Sequence, residues 1–444
     1  MHRIERAAAG DLMFLAVQAS IVPEQFGAVL VLDPRGDFDV AAATRVMGER
    51  VGAVPRLRQR VMRVPPWCGR AVWVDDAGFS VEGHVGQVVC PSPGDERALL
   101  DVAGSLVVRP LPLNRPLWAA TFVTGLDDGR VALVIVVQHS LADGIGGLAV
   151  LGALVDGAQL PARPDFPVPP PTARELAVDA LRTRARATGL ALSRIPSLSR
   201  SVRLPRGPRI GRAELCSLLR PTGPRRRVTV ARASVADLRA VAHAHGATVN
   251  DAMLTAVAGA LHATMEARGE HLAGFVVAVP VSDRASTSPE ILGNRFRETR
   301  ALLPGDGHPV ERLERVAAIM HVRKSAAFGP SVATVASAAV RAAAAVGVYD
   351  WYMRRQRYLH TVATIVRGPD SVQTFCGAPV TEILPLAVGG GGNVTVTFAA
   401  LSYAGTLAVS LTADPDAMID LDETTAALQG QLDALTARMP APPR

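Results

Sequence analysis

Seven apolar residues in a row, Val131-Ala132-Leu133-Val134-Ile135-Val136-Val137, predict a strand, and the absence of polar alternation predicts burial on both of its faces. Leu117 to Thr124 predicts a partner strand across the turn Gly125-Leu126-Asp127-Asp128-Gly129. Gly27 to Asp33 is a shorter apolar run that ends in Asp33-Pro34-Arg35-Gly36, a strand followed by a turn. Phe38 to Val51 has apolar residues at helical spacing, and a second helix is predicted from Gly144 through Val155. Leu160 to Pro171 then carries six prolines, which neither a helix interior nor a central strand accepts, so the first domain ends there.

The next stretch is helical to about Leu192 and is then broken by Pro196, Pro205, Pro208, Pro221 and Pro224. Regular structure resumes at Val228-Thr229-Val230. Ser234 with Asp237, and Thr248 with Asp251, have the spacing of helix starts in which each end caps the other. Phe275 to Val281 predicts a strand, Val310 to Ala327 a helix and Thr361 to Val366 a strand. Val380 to Leu386, Asn393 to Leu401 and Thr406 to Leu411 make a β-rich end, followed by a helix from about Asp422 to Arg438. Ser331 to Tyr349 is built mainly of alanine and interrupted by Arg341, too weakly apolar for a membrane span, and predicts a packed helix.

Composition changes this picture in three places. At 444 residues and 49% apolar, the chain is long enough for two cores, and aromatics at 4% argue against stacking platforms for nucleic acid. The charge is regional. Between Arg182 and Arg227 stand 13 arginines and one acid, Glu214, a net of +12 in a chain whose total is +7, so the remainder is mildly acidic. Cys68, Cys90, Cys216 and Cys376 are far apart with no C-x-x-C pair, which predicts reduced thiols and no metal site. Met1 to Leu12 lacks the apolar core of a signal peptide, which points to the cytoplasm.

The candidate chemistry sits at the end of the buried run, in Gln138-His139-Ser140-Leu141-Ala142-Asp143-Gly144. A strand end holds a side chain rigidly, and an imidazole titrates near working pH, so His139 suits a general base; such a base contributes about 10²–10⁴ in rate. Gly144 after Asp143 leaves room near the ring and lets the backbone turn. The plainer alternative is a satisfied core histidine beside a helix-capping aspartate. The run Gly389-Gly390-Gly391-Gly392 precedes a strand and not a helix, so it is no phosphate loop, and Gly144-Ile145-Gly146-Gly147 is too short for a dinucleotide fingerprint.

The segment from Gln138 to Gly144 resembles the H-H-x-x-x-D-G motif of the bifunctional wax ester synthase/diacylglycerol acyltransferase family. Other landmarks follow in that family's order: Asp11-Leu12-Met13-Phe14-Leu15, Pro112-Leu113-Asn114-Arg115-Pro116-Leu117-Trp118, Thr248-Val249-Asn250-Asp251, Pro280-Val281-Ser282 with Gly293-Asn294-Arg295, and the stretch from Gly368-Pro369 to Leu401-Ser402-Tyr403-Ala404-Gly405. Two departures stand out. The first His of the doublet is Gln138, and a Ser-Asn-Val-Pro-Gly-Pro element is replaced by Thr364-Ile365-Val366-Arg367-Gly368-Pro369.

The resemblance implies an α/β (α+β) fold of two chloramphenicol-acetyltransferase-like domains, each a mixed sheet flanked by helices and joined by a long linker. The divisions are 1–165, a basic linker over 166–226, and 227–444. It implies a site between the domains in which His139 is the base, Asp143 pairs with an arginine (Arg295) to hold the loop, and Asn250 donates to the oxyanion. Gln138, Gly144, Trp118, Arg295 and Arg367 are its expected substrate contacts, with Trp118 more a packing element near the histidine than a reactant and Gln138 keeping a hydrogen bond without an ionisable role. The implied reaction passes an acyl group from acyl-CoA, a substrate and not a cofactor, to diacylglycerol or a long-chain alcohol without a covalent acyl-enzyme. A polyketide or glycolipid alcohol as acceptor, and a lipid-binding relative of feeble activity, stay open. The arginine-rich segment predicts association with an anionic membrane or lipid-droplet surface and not with nucleic acid.

Overall fold

The computed structural model describes residues 4–18, 20–158, 165–186, 210–282, 296–325, 330–389 and 391–437. In chain order its strands are β1 (Glu5–Arg6), β2 (Gln25–Leu32), β3 (Gln59–Met62), β4 (Val72–Asp75), β5 (Val85–Val89), β6 (Trp118–Thr124), β7 (Val131–Gln138), β8 (Arg227–Ser234), β9 (Phe275–Ser282), β10 (Phe296–Leu303), β11 (Thr361–Arg367), β12 (Thr374–Phe375), β13 (Ala378–Ala387), β14 (Val396–Tyr403) and β15 (Thr406–Ala413). The helices are α1 (Ala9–Ala16), α2 (Val40–Gly52), α3 (Glu96–Val107), α4 (Gly144–Leu154), α5 (from 173), α6 (Val235–Ala244), α7 (Val249–Ala267), α8 (Pro309–Ser325), α9 (Pro330–Ala345), α10 (Tyr349–Met353) and α11 (Leu421–Thr436).

Two six-stranded mixed sheets carry the molecule, in the orders β12-β13-β2-β7-β6-β5 and β10-β9-β11-β14-β15-β8, and β1, β3 and β4 form a small third sheet. The run from Val131 is β7, and every one of its residues is buried. It pairs antiparallel with β2 on one side and β6 on the other. On one face of this sheet lies α3, whose end takes up the Gln25 amide through the carbonyls of Val107 and Arg109. The other face holds α4, and the Phe26 ring of β2 packs against it at Gly147.

The halves of the chain are interleaved. β12 and β13 come from the second half yet complete the first sheet, with β13 antiparallel to β2. Val228, Leu401, Tyr403 and Ala408 of the second half join the first core. α3 lies against β8 so closely that a Cβ at Gly104 would meet the Arg226 carbonyl oxygen at 2.7 Å. Arg232 of β8 bonds both Glu382 of β13 and Glu96 of α3. In the second half α7 is the central helix, packed between α8 and α11, with residues such as Met253, Leu254, Val257 and Leu261 fully buried.

The ends of the arginine-rich segment are built into the fold. α5 docks on the small sheet through Leu176, and Arg6 donates to Asp179 at 2.7 Å. Farther on, Arg225 pairs with Asp416, Arg227 pairs with Asp422, and Arg226 is buried and donates to the carbonyls of Val388, Gly223 and Arg225. Arg194, Arg200, Arg203, Arg206 and Arg209 lie outside the described residues. The alanine-rich stretch forms α9, which packs on α1, where the Ser337 hydroxyl donates to the Ala9 carbonyl at 2.5 Å. No helix among the described residues is long and apolar enough to cross a membrane.

Candidate active site

His139 is the first residue beyond β7, and its N–H donates to the Glu24 carbonyl at 3.1 Å, so the ladder with β2 runs one step past Gln25 and Gln138. Side chains alternate along a strand, and directly opposed residues share a face. His139 therefore faces the same way as Phe26 and Glu24, and Gln25 and Gln138 face α3. The Phe26 ring lies 4.7 Å from the imidazole, and Phe14, at the end of α1, stacks on it at 4.9 Å and 21°. This aromatic clamp was not read from the sequence. Phe14 belongs to a stretch noticed only as a landmark, and no local pattern says that two phenylalanines twelve residues apart meet one histidine.

The ring is half-buried and keeps some accessible surface. Burial among apolar groups holds its pKa down at about 4, against the opposing pull of the Asp143 charge. At neutral pH the imidazole is thus uncharged and able to accept a proton.

Asp143 is the N-cap of α4: its Oδ1 accepts from the Gly146 N–H at 2.8 Å. This satisfies one of the orphan donors of the first turn and fixes the loop that carries His139. Arg295, its expected partner and an expected substrate contact, lies outside the described residues. Gly144 plays a different part from the expected one. It is the first helical residue and does not adopt a left-handed backbone; a Cβ there would stand 3.1 Å from Val366 Cγ2 of β11. The missing side chain lets α4 close on β11. Gly147 does likewise toward Phe26, where a Cβ would come within 2.6 Å of the ring. The short glycine cluster is therefore a packing device.

Two expected substrate contacts are corrected by burial. Gln138 is wholly buried on the α3 face, its Nε2 donating to the Phe14 carbonyl at 3.2 Å and its Oε1 accepting from the Ser140 N–H at 2.6 Å and from the Ser140 hydroxyl. It ties α1 to the histidine loop and offers nothing to a substrate. Trp118 shares the face of His139 but is only 3% exposed; its indole N–H donates to the Leu57 carbonyl at 2.6 Å, and the His84 ring covers it at 4.6 Å. It is a packing residue.

Asn250 stands in the first turn of α7. Thr248 and Asp251 form a reciprocal cap there: the Thr248 N–H donates to Asp251 Oδ2 at 3.0 Å, and the Asp251 N–H to Thr248 Oγ1 at 3.2 Å. The Asn250 Oδ1 is buried and has no hydrogen-bond partner among the described residues. A buried polar atom left unsatisfied is compatible with a ligand group at that point, and the helix start adds a positive pole. Turning the amide about its Cβ–Cγ bond presents its N–H in the same place. α4 and α7 both pack against β11, which is how the His139 loop and the Asn250 turn come to share a neighbour.

Arg367 ends β11, is exposed, and pairs with Asp370 at 2.7 Å. It stands on the rim of a cavity of about 420 Å³ lined by Leu148, Leu151, Gly152 and Val155 around α4 and by Leu30, Val380 and Ile383 of the first sheet. Leu30 shares the parity of Phe26, so this apolar cavity opens on the sheet face that carries His139. The four cysteines are all free. Gly389 and Gly392, at φ +71° and +119°, are turn glycines in the crossing from β13 to β14; a Cβ at Gly392 would meet the Met353 carbonyl at 2.7 Å.

A mixed two-sheet fold with a half-buried histidine at a strand end defines the class, and the comparisons narrow it. Residues 8–253 match the model of the wax ester synthase/diacylglycerol acyltransferase catalytic domain, and 292–436 that of the WS/DGAT C-terminal domain. The chain belongs to this family of acyltransferases.

A Mycobacterium tuberculosis protein provisionally named a diacylglycerol O-acyltransferase is 30% identical over 427 residues, 90% of this chain and 89% of its own. Another of that organism, similarly named, is 31% identical over 311 residues, 64% of this chain and 65% of its own length. Among solved structures, the wax ester synthase/diacylglycerol acyltransferase from Marinobacter aquaeolei VT8 superposes with a TM-score of 0.68 over 97% of this chain and 98% of that one, at 21% identity. The first condensation domain of the CDA synthetase superposes with a TM-score of 0.57, over 98% and 96%, at 17% identity. Both likenesses are of fold, and the fold is the chloramphenicol-acetyltransferase-like one.

Proposed function

We propose that this protein transfers a long-chain fatty acyl group from acyl-CoA to the hydroxyl of diacylglycerol or of a long-chain alcohol, with His139 as general base and no further cofactor. The observation that carries the reading is His139 itself: a neutral imidazole at a rigid strand end, clamped by Phe14 and Phe26. As the acceptor oxygen bonds to the thioester carbon, its proton passes to the imidazole. When the tetrahedral intermediate collapses the C–S bond breaks, and the imidazolium returns that proton to the departing thiolate, leaving ester and free CoA. The apolar clamp disfavours the imidazolium, and the nearby Asp143 charge offsets part of that cost. Asn250 is the candidate donor to the oxyanion; one such donor contributes about 10²–10³ in rate.

The apolar cavity beneath α4 has the size of a ligand pocket and suits the acyl chain. Arg367 on its rim is an exposed cation for CoA phosphates, in exchange for its ion pair with Asp370. An anionic lipid surface remains the proposed partner of the arginine-rich segment, through residues outside those described. The test is direct: purified chain, labelled acyl-CoA, and diacylglycerol or hexadecanol as acceptor, with ester formation followed. Absence of ester with every acceptor refutes the reading in favour of a lipid-binding relative. Gly152 faces open space in the cavity, and Gly152→Leu is expected to shift preference toward shorter acyl chains. An unchanged chain-length profile would remove the cavity from the account.

A further inference from the structure

Glu24 has a position that the reaction as written does not use. It is the cross-strand partner of His139: the pairing Gln25–Gln138 extends one step through the bond from the His139 N–H to the Glu24 carbonyl. In such a pair the two Cα atoms are about 5.5 Å apart and the side chains leave the sheet on one face. The carboxyl group therefore emerges beside the imidazole. Like His139, Glu24 is half-buried and keeps accessible surface on that face.

Its surroundings do not satisfy it. No hydrogen bond or ion pair of the Glu24 carboxylate occurs among the described residues. Among the described residues its charge interacts with Arg226 before β8 and with Tyr349 of α10, which Asp350 also influences, and His139, influenced by Asp143, stands opposite it across the strands. Arg226 attracts it, and also donates to the carbonyls of Val388, Gly223 and Arg225. Asp350 is occupied by the Ser20 hydroxyl at 2.6 Å. A half-buried carboxylate without a protein donor is costly, and a ligand that brings one recovers part of that cost.

We propose that Glu24 is a specificity-determining residue of this acyltransferase, its carboxylate accepting a hydrogen bond from the acceptor and so selecting acceptors with a second hydroxyl beside the one acylated. This rests on the transferase reading above and narrows it. A plain fatty alcohol, or a diacylglycerol with its one hydroxyl, leaves the carboxylate unpaired; a polyol headgroup, as on a glycolipid alcohol, pairs it. Sites built to bond a substrate hydroxyl reject the analogue that lacks it far more strongly than apolar pockets reject a missing methylene.

The selection is also pH-dependent. Burial raises the Glu24 pKa to about 7 against the pull of Arg226, so the selecting carboxylate is present above neutrality and is lost as pH falls.

The experiment compares hexadecanol with its vicinal diol, using labelled palmitoyl-CoA and the full chain. At about pH 8 the wild type is expected to favour the diol in kcat/KM by about tenfold or more, the worth of a hydrogen bond to a charged group. The ratio is expected to shrink at about pH 5, where the carboxyl is protonated. Glu24→Leu should bring it close to unity at both pH values, and Glu24→Gln, the same size and uncharged, should remove its pH dependence; melting curves verify that each variant is folded. Equal use of the two alcohols by the wild type, or a preference that survives in Glu24→Leu, overturns the assignment and leaves the transferase reading standing. Acylation of neither alcohol, nor of diacylglycerol, overturns that reading and this inference with it.

Discussion

Two helix starts hold the candidate chemistry, and they solve one problem in opposite ways. At α4 the cap is Asp143, which lies outside the helix and accepts from the Gly146 N–H. At α7 the cap is Thr248, and the acid, Asp251, sits inside and reaches back to the Thr248 N–H. In each turn the acid is spent on backbone, and the candidate reactive group is a neighbour that the cap leaves aside: His139 before the first helix, Asn250 within the second. The surroundings differ too. The histidine is wrapped in rings that hold it neutral, whereas the asparagine keeps a buried oxygen with no partner among the described residues.

Substitutions at the two turns should separate scaffold from chemistry. His139→Ala is expected to lose about 10²–10⁴ in kcat with an unchanged melting curve. A folded variant with near wild-type turnover would end the comparison, because the first turn would then carry no chemistry. Asn250→Ala should lose about 10²–10³, again without unfolding. If it raises KM alone, the second turn binds substrate and does not stabilise an oxyanion.

The caps themselves should show in stability. Asp143→Ala and Thr248→Ala are each expected to cost about 0.5–2 kcal/mol in denaturant unfolding. A cost confined to one of them would mean that the two caps are not equivalent supports.

Another effect concerns pH. Glu24 has its folded pKa raised to about 7 from 4.5, so the folded chain holds the extra proton between those values, and stability from this group is lost as pH rises through 7. His139 runs the other way: its folded pKa is lowered from 6.5 to about 4, and its stability is lost as pH falls through that window. Glu24→Gln should therefore raise the melting temperature relative to wild type above pH 7, and the gain should vanish toward pH 4.5, the His139 contribution being common to both proteins. A gain independent of pH would show that packing, not charge, is responsible.

Local pattern made much of this legible beforehand. The unbroken run of β7 announced a strand buried on both faces, the Thr248–Asp251 spacing announced the start of α7, and His139 stood out by its place at a strand end. Other local signals were present and passed over: Asp95 caps α3, whose buried Leu99, Leu100, Ala103, Leu106 and Val107 keep helical spacing. Gln138 and Trp118 as substrate contacts depend on more than their place in the chain. Adjacency in sequence to a reactive residue says nothing about which face of the sheet a side chain takes or whether another group already covers it.

What sequence alone determined, then, were the elements, their caps and the residue type able to carry a proton, because period and cap chemistry act over a few neighbouring residues. Partnership between distant elements was decided only by the tertiary structure. Backbone hydrogen bonding is blind to side-chain identity, so nothing in Ala378–Ala387 declares that β13 joins the first sheet and not the second. Nor does anything local bring Phe14, Phe26 and Glu24 around one imidazole. Strand register sets Phe26 and Glu24 opposite the end of β7, the packing of α1 brings Phe14, and both are set by how the whole molecule packs.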